Sequence, residues 1–502
     1  MSDGAAAAHA ANPARIGLVR RIFSFPTAIA GLLTVLACLT VRGRFDDPDL
    51  WWHLKMGETI WTTHAIPSTD LFSYTTNHHA YVAHEWISQL LIYGAYKLGG
   101  YSGLMLWLCF FSSAVLIAGY ALCSLYSGNA KVAFLGAMAI WFFSTIGLSI
   151  RPQMIGYLLL IVELLLVHLG RSRDPRWFFA LPVLFALWVN LHGSFFLGMV
   201  VAGVFLFSSC FEFEMGSLLA APWDPRARRM LAWALVLSIA ALFLNPVGVK
   251  LVLYPFQTLL VPSVGLGAVS EWQPLQLGDQ RGLAFLGMLG CIALLVILRR
   301  SELRLHELLL LAMGAWLAAG HQRLLFAFGI LAAPVLSRLL ANSWENYDVA
   351  QDRPLPNAIL MAAALLIAYA TFPSPRNLTA QVADKSPVAA VQFIQSHHLA
   401  GPMLNEWLYG GYLMWAAPEH PVFIDGRGDV FEWAGVLQEY GRWEELRAPP
   451  TALLDKYRIN FCLLSRDSPM AVVLPLLQGW TNIYSDKNSV IFVRSVAAAT
   501  NE

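Results

Sequence analysis

From Gly103 to Leu122 and again from Leu283 to Leu298 the chain carries no Asp, Glu, Lys, Arg or His, and Arg clusters fall between runs of this kind. About 20 such residues wound as a helix cross a bilayer with every backbone group paired, whereas in water they leave an entire helix surface unsolvated. Composition agrees, with 57% of the 502 residues hydrophobic and 13% charged, against roughly 25% charged in soluble domains. The expected fold class is a polytopic α-helical membrane protein. A formal net charge of +1, with no basic stripe interleaved with aromatics, gives no case for nucleic acid. Cys38, Cys109, Cys123, Cys210 and Cys291 lie inside apolar runs and Cys462 in a strand-like run. None has CxxC or metal-type spacing, so all six read as core residues.

Apolar runs place spans near 26–42, 102–124, 131–150, 153–170, 177–191, 194–211, 230–245, 282–298, 306–320, 324–340 and 356–372. The first has a basic start but no small-x-small cleavage site, and reads as an uncleaved helix after a cytoplasmic tail, 1–25. Eleven crossings put the termini on opposite sides, the N-terminus inside and the C-terminus outside. The basic residues support that sidedness. Arg15, Arg20 and Arg21, Lys131, Arg171, Arg173 and Arg176, Arg226, Arg228 and Arg229, Arg299, Arg300 and Arg304, and Arg338 and Arg353 all fall in loops assigned inside or at the span ends bordering them. The pair 177–211 is short for two crossings, yet Arg clusters on both flanks require an even number. Asn190-Leu191-His192-Gly193 then becomes an outer turn.

Two long connections are too polar to span. Residues 43–101 form a large outer loop with amphipathic pieces at Leu50–Trp61 and Glu85–Leu98, whose Trp51, Trp52, Trp61, Tyr81 and Trp86 suit a headgroup-level position. A second outer loop, 246–281, contains Glu271-Trp272-Gln273-Pro274. The transmembrane domain thus runs over 26–372. Beyond it, 373–502 alternates helix-like stretches (Val388–His397, Trp443–Tyr457) with β-rich runs (Pro421–Ile424, Ile459–Leu464, Ser489–Arg494), as a C-terminal soluble α/β domain does. Asp425-Gly426-Arg427-Gly428-Asp429 reads as a strand-end turn there.

The uncommon polar residues gather on one side. Asp46, Asp47, Asp49, His53, His84, Glu85, Arg151, His192, Asn245, Glu271, His321 and Arg323 all fall at outer span ends or in outer loops. Ionisable groups near membrane depth are costly and tend to line cavities. In Asp46-Asp47-Pro48-Asp49, an extended Asp-Pro-Asp segment brings two carboxylates towards one divalent cation, with His53 one helical turn on and His84 as a further ligand. The plainer alternative makes Asp49 a helix N-cap and leaves Asp46 and Asp47 solvated. Glu85 suits a base towards an acceptor, or an acidic first turn that favours the helix dipole. Arg151 and the His321-Gln322-Arg323 group can hold a phosphate, or snorkel to headgroups. His192, Asn245 and Glu271 are further cavity candidates. No Walker loop, GxSxG elbow, HExxH or dinucleotide glycine pattern occurs, which speaks against nucleotide-driven chemistry within the chain.

The blocks Asp47-Pro48-Asp49-Leu50-Trp51-Trp52-His53-Leu54, Gly57-Glu58, Pro67-Ser68-Thr69-Asp70-Leu71-Phe72-Ser73-Tyr74 and Ala83-His84-Glu85-Trp86 resemble the first outer loop of a group of bacterial membrane proteins similar to the GT-C glycosyltransferases. Trp188-Val189-Asn190-Leu191-His192-Gly193-Ser194, Leu244-Asn245-Pro246, Glu271-Trp272 and Pro421-Val422-Phe423-Ile424-Asp425-Gly426-Arg427 are similar to further blocks of that group. The resemblance implies an enzyme of the inner membrane with an outward cavity. Its donor is a polyprenyl-phosphate-linked sugar, its acceptor a glycan, lipid or protein, and Asp49 or Asp47 is the acid that binds a divalent metal or activates the acceptor. Two other classes remain open: a lipid or polysaccharide transporter, and a non-enzymatic scaffold that binds through its C-terminal domain.

Overall fold

The computed structural model describes residues 18–260, 270–345, 347–348 and 351–495. All eleven expected spans fall on helices: Phe25–Val41, the second part of Trp86–Ser127, Ala130–Ser144, Gln153–Ser172, Leu181–Leu191, Phe195–Ser208, Pro225–Ala241, Gln280–Leu298, Leu305–Gly320, Leu325–Leu340 and Pro354–Thr371. Among the described residues, six helices are long and apolar enough to cross a membrane by length and composition, and four shorter apolar helices accompany them. Burial separates the centre of the bundle from its rim. The window around Leu325–Leu340 is 72% buried, whereas that of Pro354–Thr371 is 11% buried and presents Leu365, Leu366 and Tyr369 outward. The short pair at 177–211 turns at His192–Ser194, and Asn190 belongs to the preceding helix rather than to the turn.

The 43–101 segment differs from its expected position at headgroup level. Its first amphipathic piece is the helix Asp49–Thr63, and Trp51 and Trp52 are buried within the protein. Trp51 meets Tyr412 edge-on at 5.0 Å, so the aromatic face that suited lipid is covered by the C-terminal part of the chain. Trp61 stays exposed. The second piece is not separate from the span that follows it. Trp86–Ser127 is one helical run broken at Gly100, whose φ of 57° and ψ of −139° need a residue without Cβ.

Residues 375–495 build a four-stranded sheet in the order Met403–Asn405, Phe461–Ser465, Ser489–Arg494, Trp480–Ser485. The first pair is parallel and the others antiparallel, with Cys462 facing Leu404 on one side and Phe492 on the other. Two of the expected β-rich runs are strands. Pro421–Ile424 is not; it makes a single bridge from Val422 to Ser73 of the 43–101 segment. The expected helix over 443–457 is two, Val436–Glu444 and Pro450–Lys456, because Pro449-Pro450 removes two consecutive backbone donors. The C-terminal unit shares its core with the rest. Tyr412, Leu413, Val422, Phe461 and Ile491 belong to the same buried cluster as the membrane helices. A small sheet absent from the sequence reading joins Phe213–Met215 and Leu218–Ala220 to Leu303–Arg304.

Candidate active site

Pro48, with φ of −66°, precedes the first turn of Asp49–Thr63 and offers no side-chain cap. Asp47 supplies it: its Oδ1 accepts from the Asp49 backbone N–H at 3.0 Å. The capping role that the sequence allowed Asp49 therefore falls to Asp47, and the Asp49 carboxyl is left for other partners. Arg151, just ahead of the helix Gln153–Ser172, reaches both. Its Nε lies 2.5 Å from Asp47 Oδ2, one terminal nitrogen 3.1 Å from Asp49 Oδ2 and the other 2.7 Å from Glu271 Oε1. Arg323 approaches the same Glu271 oxygen at 2.9 Å and donates to Gln153 Oε1 at 2.6 Å.

One guanidinium facing three carboxylates cannot satisfy them equally. Burial pushes the Asp47 carboxyl up, but the charge and hydrogen bond of Arg151, with Ser149 and the Asp49 backbone, outweigh it and hold Asp47 below the ordinary carboxylate range. At Asp49 burial wins: Arg151 offsets it only in part, Asp47 adds to it, and the carboxyl is pushed up to about 6. Two acids two residues apart thus differ in proton affinity, Asp47 a fixed anion and Asp49 a base near neutral pH.

Glu85 sits among three imidazoles, with His192 Nε2 at 3.4 Å, His84 Nε2 at 3.7 Å and His53 Nδ1 at 3.8 Å. Ser194 donates its backbone N–H to His192 Nδ1 at 3.1 Å, which leaves the ring proton on Nε2, directed at Glu85. His84 is held by the Val82 carbonyl at 3.1 Å and stacks on Tyr254 at 4.1 Å. Burial raises the Glu85 carboxyl above its usual range. Burial, with nearby positive charge, drops His53 well below its usual value and His192 to about 3. The cluster is a carboxyl held towards its neutral form beside the uncharged His53 and His192 rings.

Two cavities adjoin these groups. The larger, about 580 Å³, has apolar walls from membrane helices at Leu160, Leu197 and Ala327 and an aromatic and polar end at Trp52, Tyr254, Trp272 and Glu85. The smaller, about 410 Å³, is lined by Arg44, Thr145, Arg281, Gln322 and Leu408. Asp49, Arg151, Glu271, Trp407 and Gly426 line both.

Of the residues singled out by sequence, Asp49, His53, His84, Glu85, Arg151, His192, Glu271 and Arg323 face the larger cavity, and Asp47 is buried behind Asp49 against Arg151. Three do not join them, the first being Asp46, which is exposed and lines neither cavity. His321 lines neither cavity; its Nδ1 bonds to the Trp272 carbonyl at 2.8 Å, which positions Trp272 rather than a phosphate. Asn245 is a turn residue, accepting from Val247 and Gly248 and donating to the Leu242 carbonyl, because a side-chain amide closes such a turn locally. Nor do Asp47, Asp49, His53 and His84 close round one cation. The aspartates turn to Arg151 and the histidines to Glu85, and among the described residues no group of three or more His, Cys, Asp and Glu could hold a metal ion.

Sequence reasoning passed over the C-terminal contribution. Gly426 lies against the acid itself: a Cβ there would stand 2.2 Å from Asp49 Oδ1, so only glycine permits the approach. Tyr254 donates to Asp429 at 3.1 Å, tying the second long connection to the Gly426-Arg427-Gly428-Asp429 turn across the cavity. The doubled glycine flanking an arginine was the available signal.

No protein-family profile and no curated protein matches the sequence. Solved structures do. An oligosaccharyltransferase from Archaeoglobus fulgidus, tethered to an acceptor peptide containing the NVT sequon, is 13% identical with a TM-score of 0.56, covering 95% of this chain and 75% of its own. The same archaeal enzyme, AglB, in complex with an inhibitory peptide and a dolichol-phosphate, is 14% identical with a TM-score of 0.51, covering 94% and 75%. ArnT from Cupriavidus metallidurans bound to undecaprenyl phosphate is 11% identical with a TM-score of 0.54, covering 95% and 98%. At these identities the likeness shows the fold alone: a multi-pass helical architecture shared with these enzymes, with a small C-terminal sheet.

Proposed function

We propose that this chain is an integral-membrane glycosyltransferase that moves a sugar from a polyprenyl-phosphate donor to an acceptor hydroxyl at the outer face of the bacterial inner membrane. The observation that carries the reading is Asp49: a carboxyl held to about 6 in the wall between an apolar-sided cavity and a second, more polar one. Membrane helices wall the larger cavity, which suits a lipid-linked donor, and neighbours of the same fold bind dolichol-phosphate and undecaprenyl phosphate. In the transfer, Asp49 takes the proton of the acceptor hydroxyl as its oxygen attacks the anomeric carbon. The bond from that carbon to the phosphate oxygen breaks, and the polyprenyl phosphate leaves with the electron pair. Arg323 and Arg151 lie where they can face the departing phosphate. Glu85, His84 and His192 line the same cavity and offer polar groups to sugar hydroxyls there. A divalent metal is not part of this scheme, since the expected ligands are divided between two centres.

Lipid extracts of a deletion strain test the reading by mass spectrometry. A polyprenyl-phosphate sugar is expected to accumulate, to fall on complementation with the wild-type gene and to remain high with Asp49→Asn. Unchanged lipids in the deletion strain would sink it. The orientation is tested separately by a reporter fused after Ser374, which should be active only as an exported enzyme.

A further inference from the structure

The smaller cavity has a charge balance that the larger one lacks. Three guanidinium groups line it, from Arg44, Arg151 and Arg281, against the carboxylates of Asp49 and Glu271. Those carboxylates are already spent on Arg151, which also holds Asp47. Arg44 donates one N–H to a neutral acceptor, the Thr145 carbonyl, at 2.9 Å. Among the described residues neither Arg44 nor Arg281 is paired with a carboxylate. Both are half-buried, so their charge is only partly screened by water. A guanidinium offers forked donors matched to phosphate or carboxylate oxygens, and Gln322 and Thr145 add neutral polar groups to the same wall.

The two cavities meet at Asp49, Arg151, Glu271, Trp407 and Gly426. A molecule in the smaller one therefore reaches Asp49 across that wall from a donor in the larger one. Building on the glycosyltransferase reading, we propose that the smaller cavity is the acceptor's site and that the acceptor is an anion: Arg44 and Arg281 receive a phosphate or carboxylate group that holds its hydroxyl against Asp49. The anion is carried either by a soluble sugar or by a lipid, and the recognition chemistry is the same.

The test uses the full-length protein in phosphatidylcholine nanodiscs and calorimetric titration. Glucose 6-phosphate and short-chain phosphatidic acid are the probes, with glucose and short-chain diacylglycerol as their uncharged counterparts. At least one phosphate probe is expected to bind about tenfold or more tightly than its counterpart, and the tighter of the two identifies a soluble or a lipid-borne anion. The Arg44→Gln/Arg281→Gln double variant should lose that preference while still binding undecaprenyl phosphate, which shows that the larger cavity is intact. The Arg44→Lys/Arg281→Lys variant, which keeps the charge, should retain most of it. Should the Gln double variant keep the preference, or Arg323→Gln in the larger cavity abolish it instead, the proposal is overturned. Because binding is read without turnover, a protein that transfers no sugar yet loses phosphate binding with Arg44 and Arg281 removed overturns the transferase reading and keeps the anion site.

Discussion

Two arginines in this molecule, Arg427 and the half-buried Arg151, each face several carboxylates, and they do different work. Arg427 is enclosed: its guanidinium donates to Asp425 at 2.6 and 2.8 Å and to Asp70 at 2.6 Å, and all three side chains are at most 1% exposed. Asp70 is further satisfied by Ser73 and Thr76. This centre clamps the 43–101 segment to the C-terminal unit, with every carboxylate it faces buried. At Arg151 the carboxylates are less equal and less closed off, with Asp49 and Glu271 at 23% and 22% exposure. The same ingredients thus give a strut where the carboxylates are buried and paired, and a reactive centre where one carboxyl is shared with a cavity.

The sharpest way to break this comparison is to neutralise Asp49. Asp49→Asn keeps the shape and removes the base, so transfer should drop by roughly 10²–10⁴-fold with normal membrane insertion. Asp47→Asn is expected to impair transfer less, and the exposed Asp46→Asn to leave it near normal. Full activity in the Asp47→Asn/Asp49→Asn double variant would remove the acidic loop from the mechanism.

Arg427→Met acts on the strut. It leaves Asp70 and Asp425 buried without their counter-charge, a change that costs about 3–5 kcal/mol and should show as a lowered melting temperature and a smaller folded fraction after solubilisation. Asp425→Asn should likewise act on stability rather than on turnover per folded molecule. Lost turnover in well-folded Asp425→Asn would erase the distinction between the two centres.

Gly426→Ala sits between them. The added methyl has no room beside Asp49, and a displacement approaching 1 Å at a reacting group lowers rates by about 10–100-fold. The expected signature is a fall in kcat with little loss of stability. An unchanged kcat would mean that the C-terminal turn does not set the position of the acid.

The gentlest probe is pH. With the Asp49 carboxyl near 6, transfer should rise as pH increases through about 6 and fall roughly tenfold per unit below it. Stability responds with opposite sign at the two aspartates. Asp49 holds its proton more tightly folded than unfolded, so its contribution is complete below about pH 4 and is lost as pH rises towards 6. Asp47, held below its ordinary range, contributes above that range and loses its contribution as pH falls. A rate that is flat from pH 5 to 7 would count against Asp49 as the base.

The sequence by itself determined the membrane helices, because crossing hydrocarbon is a property of about 20 adjacent residues and needs no distant partner. It likewise marked the Asp47-Pro48-Asp49 segment, Glu85, Arg151 and the strands at Phe461–Ser465 and Ser489–Arg494, each carried by local pattern. It left open which aspartate caps the helix and which acts, and it set the tryptophans of Asp49–Thr63 against lipid where the fold buries Trp51 and Trp52 under the C-terminal unit. Only the tertiary structure decided those points. The Arg151 contacts that separate Asp47 from Asp49 reach Asp47 across 104 positions and Glu271 across 120, and the bond that closes the strut spans 357. A carboxyl's proton affinity depends on the charges and burial that surround it in space, and contacts over such distances leave no local pattern in the chain.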